Sequence, residues 1–290
     1  MTCFELYLKA NAKAFDRYLS TFFGDGSHPD MTRYLYAPLK SFSDNSGKRH
    51  SPLICLLACE AVGGDAKRAW PAAAAIEHFH TAALIHDDIE DSSLTRRDEP
   101  CMHITEGLGL AINAGDLALA LVCGTVVNDP GLDDATKIRV LAELVDMTTR
   151  TIEGQALDIG WARDGRFDLS IDDYLIMANH KTAFYSGGVP LAVGAIVGGG
   201  STAQVETLRM FGMAAGLAFQ IQDYVLNLVG TKESTKKDFR SDVTEGKRTL
   251  VAIHALQHSG ERDLLLELLS ARTSDPDELD EAVRIMEGAG

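Results

Sequence analysis

An acidic cluster follows an apolar, alanine-rich segment in the first third of the chain. Asp87, Asp88 and Asp91 occupy positions i, i+1 and i+4 of the segment HDDIED. On a helix, Asp87 and Asp91 share one face with Cβ atoms about 5–6 Å apart. Two carboxylates at that distance repel by about 3 kcal/mol at an effective dielectric constant near 20. Bound Mg2+ relieves such repulsion, because it prefers carboxylate oxygens and is commonly completed by substrate phosphates.

A pair of arginines follows the acidic cluster. Arg96 and Arg97 lie shortly after Asp91, and guanidinium groups bind phosphate oxygens in a bidentate manner. For a bare DDxxD pattern, a solvated acidic helix end is the simpler interpretation. Here the acids end the nearly all-apolar segment HFHTAALIHDD, which directs them toward a cavity rather than bulk water. The pattern therefore favours a site for a metal-bridged phosphate.

A second polar cluster lies in the segment GLAFQIQDYVLNLVG, which also has helical apolar spacing. Asp223 and Asn227 are four residues apart, so they share a helix face. Asp223 is predicted to be a second metal ligand that faces the first cluster across a cavity. Tyr224 cannot replace a carboxylate, and Asn227 offers only a neutral oxygen, so this cluster is weaker evidence than the first.

Further polar residues alternate between oxygen-rich and basic character. Gln155 and Asp158 share a helix face, and Lys181 precedes Thr182. The basic residues Lys236, Lys237 and Lys247 follow later in the chain. Each of these lysines, taken singly, is an ordinary surface charge. Taken together with the oxygen-rich residues, they suit a metal-bridged polyphosphate.

The composition limits the partners of the protein. The 290 residues include 27 Lys and Arg against 42 Asp and Glu, so the formal net charge is −15. A chain this acidic has no broad basic surface for nucleic acid or an anionic membrane. The apolar stretch 187–200 is shorter than the roughly 20 residues of a membrane span, so no stable membrane insertion is expected. The N-terminal sequence resembles no secretory signal, which predicts a cytoplasmic protein.

Helical periodicity runs through almost the whole chain. Apolar residues recur at intervals of three and four, and no stretch shows sustained alternation with a period of two, which predicts an all-α fold. The segment 70–86 is apolar on most sides, so we expect it to be surrounded by other helices in a bundle. A single domain over residues 1–290 is the simplest expectation.

The motifs resemble those of the trans-isoprenyl diphosphate synthases, the polyprenyl synthetase family, of the geranylgeranyl and farnesyl diphosphate synthase type. The similarity extends over roughly residues 30–258. The family has an aspartate-rich DDxxD motif with paired arginines, an FQ pair before a second aspartate-rich motif, and GK and KT elements. The corresponding residues here are Asp87 to Asp91 with Arg96 and Arg97, Phe219 and Gln220 before Asp223, Gly47 and Lys48, Lys181 and Thr182, and Gly246 and Lys247.

The resemblance implies an isoprenoid synthase fold with a central cavity, a homodimer, and Mg2+-dependent condensation of isopentenyl diphosphate with an allylic diphosphate. The implied metal ligands are Asp87, Asp91 and Asp223, with Asp88 in support. The implied ligands of the allylic diphosphate are Arg96, Lys181 and Lys237. Those of isopentenyl diphosphate are Lys48, His80 and Arg97, with Arg49 as a partial substitute for a missing arginine. The implied further substrate contacts are Gln155, Thr182, Phe219, Gln220 and Lys247.

Two departures from the family pattern bear on function. Ser51 stands where the family has an arginine three residues after the lysine of its GK element. Tyr224 stands where the family usually has an aspartate, and Asn227 where it often has one, although some geranylgeranyl-type members have asparagine at that last position. The first departure bears on the affinity for isopentenyl diphosphate, and the second bears on the strength of the second metal site. Family chains commonly continue with helical sequence beyond Gly290, so the resemblance also predicts that this chain is truncated there.

Residues before the acidic cluster bear on product length. Ala83 and Ala82 lie one helical turn before Asp87 and are too small to stop a growing chain. Phe79 lies eight residues before Asp87, about 12 Å along a helix, and is a candidate floor. The expected product is geranylgeranyl diphosphate, with farnesyl or a longer prenyl diphosphate as alternatives.

Two other functions remain open. A class I terpene cyclase shares the fold and DDxxD, but it normally carries a metal-binding triad of Asn, Ser and Glu at four-residue steps. From Asn227, those steps reach Thr231 and Thr235, with no glutamate among them. A non-catalytic regulatory subunit of a synthase heterodimer is favoured slightly by Ser51 and Tyr224. The intact first motif and the lysines oppose it.

Overall fold

Helices form nearly all of the regular structure in the computed structural model, which describes residues 2–45, 47–230 and 240–290, except the side chains of Cys3 and Phe4. The strands found in these ranges are Thr95–Arg96 (β1) and Glu99–Pro100 (β2), which pair antiparallel. The all-α prediction is therefore confirmed.

The α-helices run in chain order as α1 (Cys3–Leu19), α2 (Pro29–Met31), α3 (Ala37–Asp44), α4 (His50–Ala61), α5 (Trp70–Glu90), α6 (Met102–Thr105), α7 (Leu108–Val127), α8 (Asp134–Arg163), α9 (Ile171–Ala178), α10 (Val189–Val197), α11 (Thr202–Val229), α12 (Ser241–Thr244), α13 (Leu250–His258), α14 (Arg262–Ala271) and α15 (Pro276–Gly288). Short 3₁₀ helices span Ser20–Phe22 and Ala66–Ala69, and π-helical segments span Thr32–Tyr36 and Asn179–Gly188.

The chain packs as two compact units. The first unit comprises Met1–Thr148 and Tyr185–Gly212, and the second comprises Thr149–Phe184 and Met213–Gly290. Helices α8 and α11 and the segment Asn179–Gly188 contribute residues to both units. The expectation of a single domain stays a prediction.

Helix α5 lies in the interior of the first unit. It begins at Trp70 and Pro71, where proline fits because the first turn needs no N–H partner. The alanines from Ala72 to Ala75 are fully buried, and α5 packs along α7 and against α4. Helix α10 also packs on α4, and a Cβ added at Gly194 would lie only 2.0 Å from the carbonyl oxygen of Cys55. Small residues thus allow close helix packing, which positions the C-terminal end of α5.

The second unit has two apolar clusters. One contains Leu228, Leu256 and Leu265 and joins α11 to the C-terminal helices α13, α14 and α15. The other contains Tyr174 and Met177 of α9 with Ile253 of α13. These clusters support the part of α11 that carries the second acidic motif.

Helix α7 is long and apolar enough to cross a membrane by length and composition alone, with a mean hydropathy of 1.9 over its best window. A core helix of a globular protein passes the same test, and α7 packs along α5. The expectation of no membrane insertion rested on the shorter stretch 187–200 and stays a prediction.

Candidate active site

The first acidic cluster lies at the C-terminal end of α5. The helix ends at Glu90, and Asp91 is its C-cap residue. The backbone N–H of Asp91 donates to the carbonyl oxygen of Asp87 over 2.9 Å, so the i, i+4 relation of these two acids is helical, as predicted. Asp87 and Asp91 are half-buried, whereas Asp88 is buried. The structure thus brings two partly accessible carboxylates to one helical turn.

Arg96 pairs with the first two acids of this cluster. Its Nε donates to Oδ1 of Asp88 over 2.6 Å, and its Nη2 donates to Oδ2 of Asp87 over 3.2 Å. Burial raises the pKa of Asp88 above its ordinary value, and the positive charge of Arg96 opposes that shift. The predicted ligand of the allylic diphosphate therefore also holds two aspartates in place.

A short hairpin presents the two arginines. Thr95 pairs with Pro100 and Arg96 with Glu99. The two residues between the strands, Arg97 and Asp98, have φ of 56° and 67°, which is typical of a type I′ hairpin turn. The sequence analysis missed this hairpin, because two residue pairs are too few to give an alternating pattern. The only local signal was the polar turn sequence RRDEP.

Arg97 lies against the loop that carries the GK element. Its Nη1 donates to the carbonyl oxygen of Asn45 over 3.3 Å. A Cβ added at Gly47 would lie 3.3 Å from Nη2 of Arg97, so glycine leaves room for the guanidinium. The next residue, Lys48, is exposed. The structure thus brings two predicted ligands of isopentenyl diphosphate to one loop of the first unit.

His80 belongs to the same part of the first unit. Burial lowers the pKa of His80 below its ordinary value, Arg97 lowers it further, and Glu77 opposes the shift. The imidazole is therefore neutral near pH 7 and can offer a hydrogen bond rather than a charge. Its ring stacks on Tyr185 with centroids 6.1 Å apart. The sequence analysis did not single out Tyr185, because this contact joins distant parts of the chain.

Arg49 is bound inside the first unit. Its Nε donates to Oδ1 of Asp16 over 2.8 Å, its Nη1 donates to Glu77, and its Nη2 donates to the carbonyl oxygen of Ser43 over 2.6 Å. The side chain is 4% exposed. The structure therefore places this guanidinium in the interior, and not at a surface where it would replace the missing arginine of the substrate site.

Ser51 fills the position of that missing arginine with a small side chain. It lies in the first turn of α4, and its Oγ donates to the carbonyl oxygen of Ser186 over 3.0 Å. The hydroxyl carries no charge, so the described cations of the predicted isopentenyl diphosphate site are Lys48 and Arg97.

The residues predicted to limit product length line up on α5. Phe79 and Ala82 are buried, and Ala83 is half-buried. The ring of Phe79 is tilted against that of Tyr185, with centroids 5.7 Å apart. Tyr185 therefore contacts both the predicted floor and His80.

In the second unit, the second acidic motif offers one accessible carboxylate. Asp223 is exposed on α11. Asn227 is buried: its Nδ2 donates to Oγ of Ser241 over 3.2 Å, and its Oδ1 accepts from the backbone N–H of Asp242 over 3.2 Å. These bonds hold the start of α12, so the amide of Asn227 has a structural task.

Tyr224 is half-buried and packs against the cluster of Tyr174 and Met177 rather than replacing a carboxylate. Its ring meets that of Tyr174 edge to face, with centroids 6.3 Å apart. Burial raises the pKa of Tyr224 well above its ordinary value, and the negative charges of Asp158 and Asp242 raise it further. The phenol therefore stays neutral.

The remaining predicted ligands of the second unit lie on several elements. Lys181 is in the π-helical segment Asn179–Gly188, and its Nζ forms an ion pair with Asp158 of α8. Nζ of Lys247 lies 2.6 Å from Oε2 of Glu245. Phe219 is exposed. Half-buried positions are held by Gln155, Thr182 and Gln220. Lys237 lies outside the described residues.

The donor set of the acidic cluster fits Mg2+. Within the described ranges, no group of three or more His, Cys, Asp and Glu side chains forms a complete metal site. Mg2+ does not need one, since it is usually held by one or two carboxylates and completed by water and substrate phosphate. Asp87 and Asp91, one turn apart, supply such a pair.

The fold and these motifs define a class of enzyme. Residues 32–286 match the sequence profile of the polyprenyl synthetase family, so the chain belongs to that family. It is an isoprenyl diphosphate synthase, a prenyltransferase that acts on prenyl diphosphates.

Particular relatives agree with this assignment. The chain is 40% identical over 244 residues to the short chain isoprenyl diphosphate synthase of Methanothermobacter thermautotrophicus, covering 84% of this chain and 74% of that one. It is 35% identical over 252 residues to the geranylgeranyl diphosphate synthase of Sulfolobus acidocaldarius, with the same two coverages.

Solved structures show the same similarity. The geranylgeranyl pyrophosphate synthetase of Pyrococcus horikoshii superposes with a TM-score of 0.90 at 30% identity, over 99% of this chain and 85% of that one. A geranylgeranyl pyrophosphate synthase of Corynebacterium glutamicum, complexed with isoprenyl diphosphate and magnesium, superposes with a TM-score of 0.85 at 29% identity, over 99% of this chain and 86% of that one.

Proposed function

We propose that this enzyme condenses isopentenyl diphosphate with allylic diphosphates in a Mg2+-dependent reaction, and that its main product is all-trans geranylgeranyl diphosphate. The observation that carries the proposal is the end of α5, where Asp87 and Asp91 are partly accessible one turn after the small residues Ala82 and Ala83. The magnesium complex of the C. glutamicum structure supports the choice of metal.

The reaction breaks the C–O bond of the allylic diphosphate and forms an allylic cation and free diphosphate. The double bond of isopentenyl diphosphate attacks the cation, and a proton is then lost to give the longer diphosphate. The demanding part is the charge that develops on the departing diphosphate, which prearranged positive groups stabilise. Bound Mg2+ supplies positive charge at the diphosphate oxygens.

The residues of the first unit have separate tasks in this proposal. Asp87 and Asp91 would hold the metal, and Arg96 would contact diphosphate while it stays bonded to Asp88. Lys48 and Arg97 would bind the diphosphate of the second substrate. In the second unit, Asp223 would hold metal, and Lys181 would contact the allylic diphosphate.

Product length follows from the side chains on α5. Ala83 and Ala82, one turn before Asp87, leave room for an added isoprene unit. Phe79 and Tyr185 pack against each other one turn further along, and two rings are a more rigid floor than one. This arrangement favours a product longer than farnesyl and limited near geranylgeranyl.

The protein is proposed to act as a homodimer, as the family resemblance implies. The first-unit part of α8 exposes Ile138 and Val145, and the second-unit part exposes Ile152 and Ile159. Residues seven apart share a helix face, and exposed apolar faces typically mark association surfaces. Val145→Lys should convert the dimer to a monomer in sedimentation velocity, while wild-type protein that sediments as a monomer would contradict the proposal.

The direct test incubates the purified protein with Mg2+, isopentenyl diphosphate and dimethylallyl, geranyl or farnesyl diphosphate in turn. We expect geranylgeranyl diphosphate from each primer, and no product with excess EDTA. A cyclic hydrocarbon would indicate a terpene cyclase. Absence of turnover with every primer would contradict the proposal and indicate a non-catalytic subunit.

A further inference from the structure

Asp158, which has no task in the proposed function, lies at the tip of Lys181 in the second unit. We propose that Asp158 is a positioning residue for the transfer reaction: its carboxylate fixes the ammonium of Lys181 in the place where the diphosphate of the allylic substrate binds. The inference rests on the proposed function, because it assumes that Lys181 contacts that diphosphate.

The backbones of α8 and the π-helical segment Asn179–Gly188 touch one turn before Asp158. A Cβ added at Gly154 would lie 2.2 Å from the backbone nitrogen and 2.7 Å from Cα of Lys181. No other residue fits at that distance without moving the backbone. Gly154 therefore sets the distance between the two elements, and Asp158, four residues later on the same helix face, reaches the end of the Lys181 side chain.

Two neighbouring contacts fix the same segment along α8. Nδ1 of His180 lies 3.4 Å from Oε2 of Glu153, and the guanidinium of Arg150 lies 4.8 Å from the centre of the Phe184 ring. The backbone of Lys181 is thus held between two contacts. The π-helical turn is a feature that often occurs at functional sites, because the wider turn redirects side chains.

The side chain of Lys181 needs a partner if its charge is to be positioned. A lysine ammonium is a point charge on a flexible four-carbon stem, and its three N–H donors can serve more than one acceptor. The side chains of Lys181 and Asp158 are only 21% and 12% exposed, so solvent screens this pair less than a surface pair. One bond to Asp158 fixes the direction of the ammonium before substrate binds.

The surroundings of Asp158 favour this pairing. The phenols of Tyr174 and Tyr224 lie near it, and each has a pKa raised by burial and by the charge of Asp158. Both phenols therefore stay neutral and do not compete with the carboxylate for Lys181. A carboxylate at position 224 would add a second negative charge beside Asp158.

Asp158→Asn tests the proposal, with Glu153→Gln as the matched control on the same helix and against the same segment. We expect D158N to lower kcat/KM for the allylic diphosphate at least tenfold, with KM for isopentenyl diphosphate changed less than twofold. E153Q should change both values less than twofold. The affinity for a non-ionisable thiolo analogue of the allylic diphosphate, measured by calorimetry, should fall in D158N and not in E153Q.

A double-mutant cycle identifies the route of the effect. If Asp158 acts through Lys181, D158N should have little further effect in a Lys181→Ala background. Full additivity of the two losses, or equal constants for D158N and E153Q, would overturn the proposal. If D158N fails to fold, Asp158→Glu keeps the charge and lengthens the side chain by one methylene. It should still lower allylic kcat/KM at least tenfold, whereas Glu153→Asp should not, and a wild-type value for D158E would overturn the proposal.

Failure of the proposed function would have a different signature, because the wild-type enzyme itself would then form no prenyl diphosphate. The positioning role concerns only the difference between the variants and an active wild type.

Discussion

The guanidinium of Arg49 is bound to the carboxylate of Glu77 in the interior of the first unit, where the two side chains are only 4% and 3% exposed. Arg49 has φ of 54° and immediately precedes α4, and Glu77 lies on α5. The pair thus ties the loop that carries Lys48 to the helix that carries the acidic cluster.

Arg49→Met should strongly destabilise the protein, because it leaves the buried carboxylate of Glu77 without its cation. Loss of one partner of a buried ion pair costs about 3–5 kcal/mol. The free energy of unfolding from urea titration measures the effect. Arg284→Met is the matched control, since Arg284 pairs with Glu261 and Glu281 at the surface, where solvent screens an ion pair and it adds little stability. Equal losses in the two variants would contradict a buried structural role for Arg49.

Ser51→Arg should strengthen binding of isopentenyl diphosphate, because it adds a guanidinium beside Lys48 and Arg97. A hydrogen bond to a charged group contributes about 1.5–3 kcal/mol, so KM for this substrate should fall roughly tenfold or more. Steady-state kinetics at saturating allylic substrate measure it. Ser51→Ala is the control that removes only the bond to the carbonyl oxygen of Ser186. An unchanged KM in Ser51→Arg would mean that the existing cations already suffice.

Tyr224→Phe should keep near-wild-type activity, because the neutral, half-buried phenol of Tyr224 does not act as a metal ligand. Tyr224→Asp should instead destabilise the protein without metal, since it brings a third carboxylate close to Asp158 and Asp242. Thermal unfolding with and without Mg2+ and diphosphate measures both effects. A large loss of kcat in Tyr224→Phe would show that the hydroxyl has a catalytic task.

His78 should make folding sensitive to acid. It is fully buried between Phe22 and Phe23, and neither ring nitrogen has a hydrogen-bond partner among the described residues. Burial lowers its pKa from 6.5 to about 3. Between these two values the unfolded chain binds a proton that the folded chain does not. Stability therefore falls as pH drops below about 6.5, by up to about 1.4 kcal/mol per pH unit.

Urea unfolding at several pH values from 4 to 7 checks this contribution. His78→Phe removes the titrating group, so its unfolding free energy should depend less on pH than that of the wild type. His258→Phe is the control at an exposed histidine of the second unit. Equal pH slopes for wild type and His78→Phe would contradict the prediction.

Most of the correct predictions from the sequence depended on the spacing of residues along single helices. The i, i+4 relation of Asp87 and Asp91 depends only on helix geometry, and the apolar period of α5 predicted its burial. The inward direction of Arg49, the contact of Tyr185 with Phe79 and His80, and the pairing of Lys181 with Asp158 could not be predicted. Each depends on packing between segments far apart in the chain, and periodicity contains no information on such contacts.

The side chains before the acidic cluster give the sharpest test of product length. Ala82 is buried on α5 close to Phe79, so Ala82→Tyr would place a large ring where the growing chain is expected to pass. We expect the main product to shorten from geranylgeranyl to farnesyl diphosphate, as measured by chromatography of the dephosphorylated alcohols. Phe79→Ala should have the opposite effect and give longer products. Leu110→Tyr, on α7 and outside the acidic helix, controls for general effects of an added ring. If Ala82→Tyr leaves the product unchanged, or wild-type enzyme stops at farnesyl diphosphate, these side chains of α5 do not set product length.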